Sequence, residues 1–277
     1  MRNPSLLARV IDLEQRAAMA RRGKPRIAVF DLDDTLLIND IGEAVLRILI
    51  ARDELPDEYW AEYEALLRVD APAAYRRAAE MLEGLPVARI ADATRTAFFD
   101  YSLAVCTLLP LHLRPRPEPS MLELVRLLRR RGWIVAVISA SNAISVRIAA
   151  SNVFRLDEWH AYGIENVVAG GVCTRDLMLP VPIFDGKADV YRAVFGAHPP
   201  LLTAGNSLMD VPLLRLTDSV GCSFWVGDSL ESFLELKRGN FFPQELCFIR
   251  RRTGVSVLTH QHMHIGGTDH AAASVVV

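Results

Sequence analysis

Residues 26–40 read RIAVFDLDDTLLIND. Four apolar residues, Ile27 to Phe30, run straight into Asp31, Asp33 and Asp34. Apolar side chains at every position, not at alternate ones, mark a strand buried on both faces, as in a parallel sheet. Acids crowded at the end of such a strand repel one another. They cost stability unless a cation or a reaction uses them. A turn or a helix cap accounts for one acid there; three within four positions ask for more.

The chain has 277 residues, enough for one large domain or one domain carrying an insertion. Apolar residues make up 51% of it, which supports a sizeable core. The formal charge of −2 gives no reason to expect nucleic acid or an anionic membrane as partner. Cys106, Cys173, Cys222 and Cys247 are widely spaced and form no CxxC pair. They read as buried thiols of a reducing compartment, not as a disulfide framework. No apolar run reaches the ~18 residues of a membrane helix. Near the N-terminus, LLARVIDLEQ places charges where a signal peptide needs an apolar centre, so we read an amphipathic leader helix. Asp12 and Glu14 count against a transit peptide. The expected location is cytoplasmic.

Two more apolar runs resemble the first: WIVAVIS (133–139) and LLTAG (201–205). A fourth, VGCSFWV (220–226), is expected at a sheet edge. Helical patterns separate them. In PSMLELVRLLRRRGW (119–133), Ser120 and Glu123 form an expected capping box, Leu124, Leu127 and Leu128 an apolar stripe, and Gly132 a stop. This alternation predicts an α/β fold, a Rossmann-like parallel sheet with right-handed crossovers. Residues 41–115 break it with helical stretches such as EYWAEYEALLRV and AAYRRAAEMLEGL. The expectation is a catalytic core of residues 1–40 and 116–240, an inserted α-helical cap at 41–115, and a C-terminal extension at 241–277. The insertion is either a lid over the acids or an ordinary helical subdomain. His260, His262 and His264 alternate as metal ligands on a strand would, but the last ~18 residues read better as a flexible tail.

Ligands of open parallel sheets bind outside the carboxyl ends of the strands. The first run ends in Asp31 and Asp33, the second in Ser139 within ISASN, and the third in GNSLMD with Asn206, Ser207 and Asp210. Between the last two, FDGKADVYRAV opens a helix at Lys187. Lys187 alone would read as a surface lysine; in this order the segments form one candidate site. Asp31 and Asp33 are also close enough to titrate as a coupled pair.

The motifs DLDDT, ISAS, GK and GNSLMD resemble those of the haloacid dehalogenase-like (HAD) hydrolases, over residues 25 to 230. The insertion and the stretch YGIENVVAGG are similar to the phosphoserine phosphatase-like branch, which includes phosphocholine and phosphoethanolamine phosphatases. The resemblance implies a Mg²⁺-dependent phosphomonoesterase. Asp31 is then the nucleophile that forms an aspartyl-phosphate, and Asp33 the general acid and base. Thr35 would hold the acidic loop. Ser139, the backbone N–H of Ala140, and Lys187 would bind the phosphate. Asp31, the carbonyl of Asp33, Asn206 and Asp210 would hold Mg²⁺. Relatives that act as dehalogenases lack the second acid, so Asp33 favours phosphate chemistry. Asp34 is expected in the turn without a catalytic role. The family often has Asp where Asn206 stands, which predicts weaker Mg²⁺ binding here. Transfer to an acceptor other than water, and a non-catalytic protein that keeps the pocket, stay open.

The partner expected is a small phosphomonoester, met by a monomer or homodimer. Asp40, nine residues after Asp31, is either a helix N-cap or, by the resemblance, the partner of a substrate amine. Tyr59, Trp60, Tyr63 and Tyr75 are core residues or cation–π faces for an ammonium. Arg68, Arg76 and Arg77 lie on a solvated face or bind a substrate carboxylate.

Overall fold

Every position of the first apolar run is buried, and it forms strand β1 (Ile27–Phe30). The other strands are β2 (Leu37–Ile38), β3 (Arg116–Pro117), β4 (Ile134–Asn142), β5 (Ala161–Ile164), β6 (Asn166–Ala169), β7 (Val172–Leu177), β8 (Leu202–Gly205), β9 (Cys222–Gly227), β10 (Glu245–Arg250), β11 (His260–His262) and β12 (Ser274–Val276). The structure, a computed structural model, describes residues 4–238, 244–250, 260–262 and 274–276. The expected flexible tail falls largely outside them, as does His264.

The main sheet has the order β11-β12-β10-β9-β8-β1-β4-β5. The six strands from β10 to β5 all run parallel, as the apolar runs require of an α/β fold. One expectation is corrected. The run at 220–226 is not an edge: β9 pairs with β8 on one side and β10 on the other. A second correction concerns the helix Pro119–Arg130. Its cap is Glu118, whose side chain accepts from the Met121 N–H, with Pro119 in the first turn. Proline at that place needs no hydrogen-bond partner, so the helix starts before the expected Ser120 box. Gly132 does end the segment, at φ +74°.

The chain divides into two units, 1–36, 118–136 and 191–277 in one, 37–117 and 137–190 in the other. The first holds β1 and β8 to β12. Its helix Pro4–Ala20 is fastened by Glu14, which accepts from Arg26 at 2.9 Å, Trp133 Nε1 at 2.8 Å and Arg131 Nε at 2.9 Å. A cluster of Leu214, Trp225, Phe233, Leu246 and Phe248 closes the far side of β9 and β10.

The second unit contains the helices Ile41–Ala51, Glu58–Val69, Ala71–Glu80, Val87–Phe99 and Leu103–Leu108. The chain enters them through β2 and leaves through β3, which pair antiparallel. Asn39 secures this neck, donating to the carbonyls of His112 and Arg114. Residues 137–190 belong with these helices for physical reasons. Ala79, Ile164 and Val181 share one apolar cluster. Asn166 Nδ2 donates to the Ala79 carbonyl at 2.9 Å, and the buried hydroxyls of Thr94 and Ser145 lie 2.7 Å apart.

Candidate active site

In the first unit, the chain leaves β1 at Phe30 and turns through Asp31–Leu36. The Leu36 N–H returns to the Leu32 carbonyl at 2.8 Å. Asp34 sits at φ +57°. Aspartate tolerates that left-handed conformation better than most residues, so the third acid belongs to the turn. Asp31 is 4% exposed and Thr35 fully buried. Thr35 Oγ1 donates to Asp31 Oδ2 at 3.0 Å and fixes that carboxylate.

The second strand end comes from β8. Asp210 is fully buried, and its Oδ2 accepts from the Asn206 N–H (3.0 Å), the Ser207 N–H (2.9 Å) and Ser207 Oγ (3.0 Å). One carboxylate oxygen thus folds the GNSLMD loop. Gly205 makes this possible: a Cβ there would lie 2.4 Å from Asp210 Cβ.

These ends meet at Asn206. Its terminal amide atom lies 3.1 Å from Thr35 Oγ1 and 3.3 Å from each of Asp31 Oδ2, the Asp33 carbonyl and Asp210 Oδ2. Thr35 has a single hydroxyl proton, and Asp31 takes it, so Thr35 is left an acceptor. Four acceptors then surround this atom, and the amide nitrogen, which has two hydrogens to donate among them, suits the place where the oxygen would not. The fold therefore gathers Asp31, Asp33, Thr35, Asn206 and Asp210. It offers hard oxygens from two carboxylates, a carbonyl and an amide, a donor set that suits Mg²⁺.

Asp40, Ser139, Ala140 and Lys187 lie in the second unit. Ser139 is fully buried in β4, and its Oγ accepts from the Ser141 N–H at 3.0 Å. Asn142 ends β4, and its side chain accepts from the Ser145 N–H at 2.9 Å. Lys187, 3% exposed, stands in the first turn of helix Asp185–Phe195. Gly186 before it touches the chain closely: a Cβ would fall 1.8 Å from the Val181 carbonyl oxygen.

Asp40 is the N-cap of helix Ile41–Ala51, accepting from the Glu43 N–H at 2.9 Å. It also lines a small cavity with Ala140, Ser141, Glu43, Tyr63 and Tyr75. Tyr63 donates to Glu43 Oε1 at 3.2 Å. Burial, reinforced by Asp40, Tyr75 and Glu43, pushes the Tyr63 hydroxyl far above its ordinary pKa, so it is a neutral donor. Sequence reasoning missed Glu43 and Ser141. The available signal was spacing, since Glu43 falls one helical turn after Asp40. The remaining aromatic faces are occupied: Arg47 lies 3.7 Å over Trp60, and Arg77 5.4 Å over Tyr59. Arg77 also pairs with Glu62, while Arg68 and Arg76 are exposed.

The sequence model of the haloacid dehalogenase-like hydrolases matches residues 28–215. No curated protein matches the chain. Among solved structures, a functionally unknown protein from Anaerococcus prevotii DSM 20548 is 14% identical with a TM-score of 0.63, over 88% of this chain and 91% of that one. A protein of unknown function from Bordetella pertussis Tohama I is 18% identical with a TM-score of 0.60, over 80% and 98%. A phosphoserine phosphatase, solved as a phospho-aspartyl intermediate analogue, is 17% identical with a TM-score of 0.52, over 81% and 93%. These three likenesses are of fold. The family match spans most of the chain, which therefore belongs to the haloacid dehalogenase-like hydrolases.

Proposed function

We propose that this haloacid dehalogenase-like hydrolase is a Mg²⁺-dependent phosphomonoesterase acting on a small, amine-bearing phosphate ester in the cytoplasm. The observation that carries the reading is the oxygen cluster around Asn206, built from the ends of β1 and β8. Asp31, the Asp33 carbonyl, Asn206 and Asp210 would hold the ion, which when bound offsets the repulsion between a carboxylate and a phosphate.

Asp31 attacks phosphorus as the ester oxygen leaves, giving an aspartyl-phosphate of the kind the phosphoserine phosphatase analogue represents. Thr35 keeps the attacking carboxylate in place. Asp33 gives its proton to the leaving oxygen, then takes one from the water that hydrolyses the acyl-phosphate. Ser139, the Ala140 N–H and Lys187 are assigned to the phosphate oxygens. Residues 41–115 are assigned the cap's task of choosing the substrate.

Among the described residues, two carboxylates, Asp40 and Glu43, and no basic residue line the cavity of the second unit. That lining favours an ammonium group and disfavours a carboxylate. Its volume of about 20 Å³ admits one water-sized group. A primary ammonium has that size, and a trimethylammonium does not.

A hydrolysis panel of ethanolamine, serine, choline and glycerol phosphates tests the reading. Mg²⁺-dependent turnover fastest on ethanolamine phosphate, and abolished by Asp31→Asn, is the expected outcome. Full activity of Asp31→Asn would overturn the mechanism; preference for glycerol phosphate would overturn the substrate class.

A further inference from the structure

Two of the four cysteines, far apart in sequence, meet in the first unit. Cys222 begins β9 and Cys247 lies in β10. The strands pair with Cys222 beside Glu245 and Phe224 beside Cys247, so the two thiols are diagonal neighbours on one face. Both are fully buried, and their sulfurs are 3.2 Å apart. Arg9 of the N-terminal helix lies over them. Its Nη2 donates to Cys247 Sγ at 3.4 Å and contacts Glu245 Oε1 at 2.8 Å, and its Nη1 donates to Glu245 Oε2 at 2.8 Å. Arg16 Nη2 reaches Glu245 Oε2 at 3.3 Å.

The geometry points to a reversible disulfide between Cys222 and Cys247, formed with a small hydroperoxide as oxidant. This site lies outside the phosphatase machinery and does not rest on that reading. Sulfurs 3.2 Å apart need an approach of about 1 Å to bond.

The two sulfurs have different parts. Arg9 sets a fixed positive charge beside Cys247 and marks it as the attacking sulfur. Burial, and then the hydrogen bond with Cys247, push the Cys222 thiol well above its ordinary pKa, so it stays protonated. The Cys247 sulfur attacks the peroxide O–O bond and becomes a sulfenic acid, and the thiol proton leaves with the released hydroxide as water. Cys222 sulfur then displaces the sulfenic hydroxyl, and its own proton leaves with that hydroxyl as a second water. Two thiols lose two electrons and one hydrogen peroxide gains them. A divalent metal would suit the same three ligands, Cys222, Glu245 and Cys247. It would have to displace the guanidinium already bonded to two of them, so the disulfide is favoured.

The test treats the full, reduced chain with hydrogen peroxide, then denatures it, alkylates free thiols and maps peptides without reductant. The expected result is loss of two of the four thiols together, as a Cys222–Cys247 cross-link that dithiothreitol reverses. Arg9→Ala should slow its formation roughly tenfold. Cys222→Ser should leave a sulfenic acid on Cys247 that dimedone traps. If that variant does not fold, the thiol count of the wild type still decides. Oxidation of the partly exposed Cys106 while Cys222 and Cys247 both remain alkylatable would overturn the proposal. So would stoichiometric zinc released only when these two thiols are blocked.

Discussion

In the proposed site Asn206 would do two jobs at one place. Without a cation, its amide nitrogen faces the oxygens of Thr35, Asp31, the Asp33 carbonyl and Asp210 and shares two hydrogens among them. A bound Mg²⁺ would call for the oxygen instead, and the amide would then have to turn. Aspartate here would supply a better ligand and a worse neighbour. Asn206→Asp should therefore bind Mg²⁺ roughly tenfold more tightly by calorimetry, with a metal-free protein about 2 kcal/mol less stable in EDTA. Equal or looser Mg²⁺ binding with unchanged stability in EDTA would contradict this. The acids of this site were legible in the sequence because DLDDT is a local turn directly after a strand. The Thr35–Asp31 bond is also local. Why glycine precedes Asn206 was not legible, since the reason is a contact with Asp210 that only folding creates. Glu43 was hidden because an acid in the first turn of a helix reads as ordinary dipole compensation.

Among the elements, the helix Pro4–Ala20 shows how one side chain secures a segment. Glu14 is 11% exposed and collects Arg26, Arg131 and Trp133. Burial alone would raise its pKa, but the bonds from Arg131 and Trp133 outweigh it and leave the carboxyl below the ordinary glutamate value. The sign follows: this stabilisation is complete above the ordinary value of 4.5 and is lost as pH falls through the lowered one. Glu14→Ala should cost about 2 kcal/mol at neutral pH, and the difference from wild type should shrink in acid. A shift in urea midpoint with unchanged slope checks it; a difference that persists in acid would contradict it. The strands β1, β4 and β8 were readable because each carries an apolar run that is buried on both faces. β5 was not, being short and interrupted by Gly163, where a Cβ would lie 2.5 Å from the Ser141 carbonyl oxygen. β10 (ELCFIR) mixes charged and apolar residues and gives no unbroken run.

For the molecule as a whole, the sheet order places β1 between β8 and β4, the three strands that carry the candidate motifs. Linear order showed that such strands exist, because each is a run of apolar residues ending in polar ones. It did not show that residues 137–190 join the helical segment in one unit. That grouping rests on the Ala79–Ile164–Val181 cluster and the Thr94–Ser145 contact, between residues about 50 to 100 apart. Nor did it show the cysteine pair, since Cys222 and Cys247 meet only when a crossover returns the chain to the next parallel strand.

The family assignment fixes the class of enzyme, and the chemistry proposed for it turns on one atom group, the Asp31 carboxylate. The decisive measurement is a rapid acid quench during turnover of a phosphomonoester with Mg²⁺, followed by peptide mapping. The predicted result is a transient phosphoryl group on the peptide carrying Asp31, absent from Asp31→Asn. Steady turnover with no phosphoryl group on that peptide, matched by an equally active Asp31→Asn, would contradict it.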